Sequence, residues 1–310
     1  MKEMRTGMTN LHADPFLLIK LNYIQMNPAM KQIADVLLSR RTESSRMTIG
    51  ELAAASGVSN ATVTRFVQML GFENYKAFST SIQRFLQEKQ THPTMTSPSS
   101  HAMLYAGGFP NRQDPESVCR YVIGSEIEML NDTLSLMDFP LMEKVAELIN
   151  SARQVIFLGE GYSHLAAESA CSRFSRIGVL CSSPAGFHNT IPAVCMAKSG
   201  DLVVGISNMG HSPTVAEGLT MAREQGLPTV AITSVKGSPV DMVADHTILT
   251  GFNYCSFSKP SQATCYEPGS ENLPQYSVID CLYLMCVMRK DQECLDRYYR
   301  TSTLINAKRI

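Results

Sequence analysis

The 310 residues exceed what one compact domain usually needs, and 44% hydrophobic with 18% charged residues excludes a chain disordered throughout. Nine cysteines, an odd number without a C-x-x-C pair, fit reduced thiols in a cytoplasmic protein better than a disulfide framework. A net charge of -1 hides an asymmetry: residues 1–90 carry 11 Lys/Arg against 7 Asp/Glu and residues 91–310 carry 16 against 21, as expected for a small polyanion-binding module joined to a different domain.

Near the N-terminus, Phe16-Leu17-Leu18-Ile19 is a four-residue apolar run, too short for a signal peptide or a membrane span, so no membrane association is expected. Met30, Ile33, Ala34, Leu37 and Leu38 recur at helical spacing and predict a helix over 28–39. Thr48-Ile49-Gly50-Glu51 reads as a capping box opening a short helix, and Gly57 supplies a turn. Ser59 then caps a helix over 60–70 that ends at Gly71, with Val63, Phe66, Val67 and Leu70 in one apolar stripe.

The opposite face of that helix holds Ala61, Thr64, Arg65 and Gln68, flanked by Asn60 and Thr62. A helical scaffold that binds nothing would show the same stripe, but an idle solvated face usually carries Glu/Lys pairs rather than short hydrogen-bonding groups. Helix, glycine turn and polar-tipped helix is the helix-turn-helix layout, with the second helix entering the major groove N-terminus first. Capping hydroxyls there meet phosphate, and Arg65 reaches guanine edges or phosphate. The candidate DNA contacts are Thr48, Ser59, Asn60, Ala61, Thr62, Thr64, Arg65 and Gln68. The segment from Ile49-Gly50-Glu51-Leu52-Ala53 through Gly57-Val58-Ser59-Asn60-Ala61-Thr62-Val63-Thr64-Arg65-Phe66 to Leu70-Gly71-Phe72 resembles the helix-turn-helix of the RpiR family of bacterial sugar-responsive transcription regulators. Phe78, Ile82 and Phe85 fit that family's closing helix.

Residues 91–116 hold four prolines, six Ser/Thr and Gly107-Gly108, and read as a linker. Beyond it, apolar strands at 155–158, 179–181, 202–206, 229–233 and 246–249 alternate with helices, which predicts a doubly wound parallel sheet. The expected organisation is α + α/β: an all-helical domain over 1–90, a linker over 91–116 and the sheet domain over 117–310. Ligands in such sheets bind at the carboxyl ends of the strands, here the loops 159–163, 182–188, 207–212 and 234–238.

Gly159-x-Gly161 is not a dinucleotide fingerprint, because the third glycine position is His164 and Ser182-Ser183 stands where a ribose-binding carboxylate belongs. The strand ends carry hydroxyls instead. Gly161, Ser163, Ser183, Ser207, Gly210, His211 and Ser212 are the candidate ligand contacts, a neutral cradle for a phosphate at helix N-termini. Ser and Gly are common in any such turn, and the matching of two loops is what favours phosphate. No cofactor is expected, nor a metal, the seven histidines being scattered.

Gly159-x-Gly161-x-Ser163, Ile206-Ser207-x-x-Gly210-x-Ser212, Ala231-Ile232-Thr233, Ser238-Pro239 and Val278-Ile279-Asp280-Cys281-Leu282 resemble the sugar isomerase (SIS) domain. In the RpiR family that domain binds a phosphorylated sugar and tunes affinity for a double-stranded DNA operator, more often as a repressor, of carbohydrate genes. Two departures stand out: Met209 replaces the usual second serine, at a loss of about 1.5–3 kcal/mol of hydrogen bonding to an anion that His211 can offset by charge, and Gly186-Phe187-His188 lacks an expected carboxylate. The alternative is a sugar-phosphate isomerase with a DNA-binding appendage, for which His188, His211, Glu267 and Glu271 are the candidate bases. Two half-sites in an operator further predict a homodimer or homotetramer.

Overall fold

The structure, a computed structural model, describes residues 14–91, 114–252 and 272–307. Most of the predicted linker lies outside the described residues, as do Glu267 and Glu271. By its internal contacts the chain divides into Met1–Leu136 with Gly251–Glu271, and Met137–Thr250 with Asn272–Ile310.

The first unit is helical. Helix α1 (Pro15–Asn22) starts at Asp14, whose carboxylate accepts the N–H groups of Phe16 and Leu17. Its short apolar run lies in a core with Ile33, Leu37, Leu52, Val63, Phe66, Phe78 and Ile82. Helices α2 (Pro28–Ser39), α3 (Arg41–Ser44), α4 (Ile49–Ser56), α5 (Asn60–Met69) and α6 (Tyr75–Thr91) follow. Thr48 and Glu51 form the reciprocal capping box that opens α4, and Gly57 closes it at φ 66°, a conformation that favours glycine. Ser59 caps α5 by accepting the N–H of Thr62. Val63, Phe66 and Val67 of α5 face inward, with Phe66 edge-on to Phe78.

Helix α7 (Pro115–Leu136) groups with these helices, although residues from 117 onward were expected in the rear domain. A buried charge cluster joins it to them. Lys20 Nζ lies 2.7 Å from Glu128 and 2.5 Å from Asp132, and the Arg41 guanidinium lies 2.9 Å from Glu128 and over the Phe16 ring. Burial pushes the Asp132 carboxyl up to about 6 against the pull of Lys20. Among the described residues Lys20 and Arg41 are set against Glu128 and Asp132, and it is such pairing of opposite charges that burial requires.

In the second unit, α8 (Phe139–Ser151) leads into β1 (Gln154–Gly159), α9 (Tyr162–Ser175), β2 (Cys181–Ser182), α10 (Phe187–Cys195), β3 (Asp201–Ile206), α11 (Pro213–Glu224), β4 (Thr229–Thr233), α12 (Pro239–Val243) and β5 (His246–Leu249). Helices α13 (Leu273–Val287) and α14 (Gln292–Asn306) complete the described residues. The five strands are parallel in the order β2-β1-β3-β4-β5. Alternate residues feed two cores: Val155, Phe157, Val204 and Ile206 meet α9 and α13, while Ile156, Leu158 and Val203 meet α11. Adjacent strands β1 and β3 thus send their following helices to opposite faces, which opens a crevice at their carboxyl ends. The second strand falls at 181–182 rather than 179–181, leaving Val179 to pack in the core.

Candidate functional site

On the helix-turn-helix surface the eight candidate contacts share the start and outer face of α5, except Thr48, which caps α4. The hydroxyls are already engaged locally. Thr48 Oγ1 donates to Glu51 at 2.8 Å, Ser59 Oγ and Thr62 Oγ1 lie 3.0 Å apart, and Thr64 Oγ1 donates to the Asn60 carbonyl. These bonds order the tip of the helix. Asn60, Ala61, Arg65 and Gln68 are exposed, while Thr62 and Thr64 are half-buried. Tyr75 braces the surface from behind, donating to the Met47 carbonyl at 2.7 Å, and burial pushes its phenol up to about 12.

The second candidate site is the crevice between β1 and β3. Their last residues, Gly159 and Ile206, are paired, so the loops 160–163 and 207–212 leave the sheet side by side. The β3 loop is tied to β4: the Asn208 carbonyl accepts the Ser234 N–H at 2.8 Å, and Asn208 Oδ1 accepts Ser234 Oγ at 2.7 Å. Ser234 Oγ also lies 2.7 Å from Thr250 Oγ1. Gly210 sits at φ 66°, and a Cβ there would come 2.0 Å from Ser238 Oγ, so only glycine fits. Ser212 caps α11. Ser163 is buried at the start of α9, where its Oγ accepts from Nε2 of the wholly buried Gln275 at 3.3 Å. Ser207 is buried, Ser183 half-buried, and Gly161, His188 and His211 exposed.

Two residues of this crevice were not singled out in the sequence. Glu160 Oε1 accepts Thr214 Oγ1 at 2.6 Å, and Oε2 accepts the hydroxyl of Ser212. The cradle is therefore not neutral: a carboxylate already engages one of its hydroxyls. Gln275, on α13, is the other, and its Oε1 is buried without a hydrogen-bond partner. Neither lies near its partner in sequence, so no local spacing signals it. Among the described residues no group of His, Cys, Asp or Glu could hold a metal ion, and no helix is long and apolar enough to cross a membrane.

Comparison with known proteins matches residues 16–89 to the helix-turn-helix domain of the rpiR family and residues 148–285 to the SIS domain. A relative in Haemophilus influenzae, named only as an HTH-type transcriptional regulator, is 24% identical over 288 residues, 93% of this chain and 95% of that protein. The HTH-type transcriptional regulator HexR of Pseudomonas aeruginosa is 25% identical over 266 residues, 86% of each chain. Among solved structures, the NanR protein of Vibrio vulnificus, in complex with ManNAc-6P, is similar with a TM-score of 0.55 at 17% identity, covering 95% of this chain and 98% of that one. The sugar isomerase domain of an RpiR transcription factor from Sphaerobacter thermophilus gives 0.52 at 22% identity over 59% of this chain and 96% of its own.

Proposed function

The chain belongs to the rpiR family of transcription regulators, and from that premise we propose that it binds an operator through α5 and adjusts that binding to a phosphorylated sugar at the carboxyl ends of β1 and β3. The observation that carries the reading is the matched pair of helix starts at the crevice. Ser163 opens α9 and Ser212 opens α11, with Ser207 buried between them, and the N-termini of both helices favour an anion. A sugar phosphate as the class is supported by the ManNAc-6P complex of the similar NanR protein.

In functional terms we assign residues 1–90 to DNA, 91–116 to a connection and 117–310 to the ligand. Helix α7, although inside the range assigned to the ligand, groups with the helices of the first unit and meets them through Lys20 and Arg41. The DNA-binding surface comprises Thr48, Ser59, Asn60, Ala61, Thr62, Thr64, Arg65 and Gln68. Repression of carbohydrate genes by a homodimer or homotetramer is the mode we assign. The ligand is sensed without turnover, in keeping with relatives that are named regulators.

The test is to recover the genomic DNA fragments that the purified protein retains, then titrate one of them with a panel of sugar phosphates. One compound should shift operator affinity, and none should be isomerised during incubation. A chain that retains no specific fragment, or that converts a sugar phosphate at an enzymatic rate, contradicts the reading.

A further inference from the structure

The carboxylate in the crevice has a consequence for the ligand. Glu160 follows directly on β1, and its two oxygens take the hydroxyls of Ser212 and Thr214. Ser212 is the cap of α11, a helix of 12 residues, and Thr214 is nearly buried beneath it. Two hydroxyl donors at the positive end of a helix are the equipment of an anion site, and the anion they hold belongs to the protein itself. We propose that Glu160 is a built-in competitor for this seat: a ligand phosphate binds by displacing the Glu160 carboxylate from Ser212 and Thr214, and the carboxylate sets how much effector is needed.

This rests on the phosphate reading given above and adds to it a residue that determines threshold and specificity. A phosphate dianion and a carboxylate cannot share the same two hydroxyls, because each needs donors and like charges repel strongly where water is scarce. The competition therefore selects. A ligand must offer more than a phosphate, and the crevice has the means to reward the rest of it. Gln275 is wholly buried, donates to Ser163, and keeps an acceptor oxygen without a partner beside that serine. A sugar hydroxyl donated to that oxygen satisfies a buried acceptor, whereas inorganic phosphate alone does not reach this benefit. Met209, in the same loop, brings a thioether and no hydrogen-bond donor for a phosphate.

The experiment compares the full chain with Glu160→Gln, and with Glu160→Ala in case the amide disturbs folding. Binding of inorganic phosphate is measured by calorimetry, and thermal unfolding checks that each variant is folded. The expected result is that removing the charge tightens phosphate binding by about tenfold or more. Equal phosphate affinity in wild type and both variants overturns the role of Glu160 while leaving phosphate sensing in place. If no form binds phosphate at all, the seat at Ser212 and Thr214 takes no phosphate and the competition is wrong, and the titration with sugar phosphates then decides the phosphate reading by itself.

Discussion

Lys20 and Asp132, 112 residues apart, meet at 2.5 Å in the interior of the first unit. Glu128 shares the same ammonium and is itself held by Arg41. Removing one partner of such a cluster leaves an uncompensated buried charge, so Lys20→Met should cost about 3–5 kcal/mol of stability. Pairing it with Asp132→Leu should recover most of that loss, because the buried pair is then replaced by apolar volume. Denaturant unfolding of the single and double variants checks both statements. A double variant as weak as the single one would mean that Lys20 acts through packing rather than charge.

The same cluster sets a pH dependence. Burial raises the Asp132 carboxyl to about 6, well above its unfolded value, so the folded state holds a proton that the unfolded chain has released between the two. Stability from this group is present below the unfolded value and is lost as pH rises through about 6. The wild type should therefore lose stability relative to Asp132→Asn as pH rises from about 4 to about 7. Thermal unfolding of both forms across that range reads the difference, and a constant difference would show that Asp132 does not titrate there.

Arg65 stands exposed on the outer face of α5 and makes no contribution to its core. Arg65→Ala should weaken specific operator binding by about 1–3 kcal/mol and leave the unfolding midpoint unchanged. Gel-shift titration at fixed salt is the measurement; unchanged binding removes Arg65 from the groove.

Ser207→Ala with Ser212→Ala strips two hydroxyls from the crevice while leaving α5 untouched. The loss of the α11 cap should cost about 1 kcal/mol in stability. Operator affinity without effector should persist, and its response to the cognate sugar phosphate should vanish. If the double variant still responds fully, these serines are structural and the sensor lies elsewhere.

A single short recognition helix contacts few base pairs, so operator binding calls for two copies of α5 spaced by about one helical turn of DNA. Mass measurement in solution should find a dimer or a tetramer. A strict monomer with undiminished operator affinity contradicts that expectation.

Elements whose signals are local were legible in the sequence. The capping box at Thr48, the turn at Gly57 and the stripe Val63-Phe66-Val67 fall where their spacing predicts, because a helix is specified within a few residues. The strands were legible as apolar runs, since a parallel sheet is buried on both faces. Pairings made by tertiary structure were not. Glu160 meets hydroxyls 52 and 54 residues further on, and Lys20 meets carboxylates more than 100 residues away. Helix α14 was missed because its composition is mostly polar, with Tyr298 among the side chains that reach the core. The charge of the crevice is hidden for the same reason as the role of Glu160: a carboxylate in a glycine turn gives no sign of which loop it will cross to.

The docking of α7 changes what a broken chain would look like. A single cut anywhere within residues 92–113 leaves Lys20 and Arg41 on one fragment and Glu128 and Asp132 on the other. Those four buried side chains tie the two pieces to each other across the cut. Such a nicked regulator should migrate as two bands under denaturing conditions yet elute as one species from a sizing column.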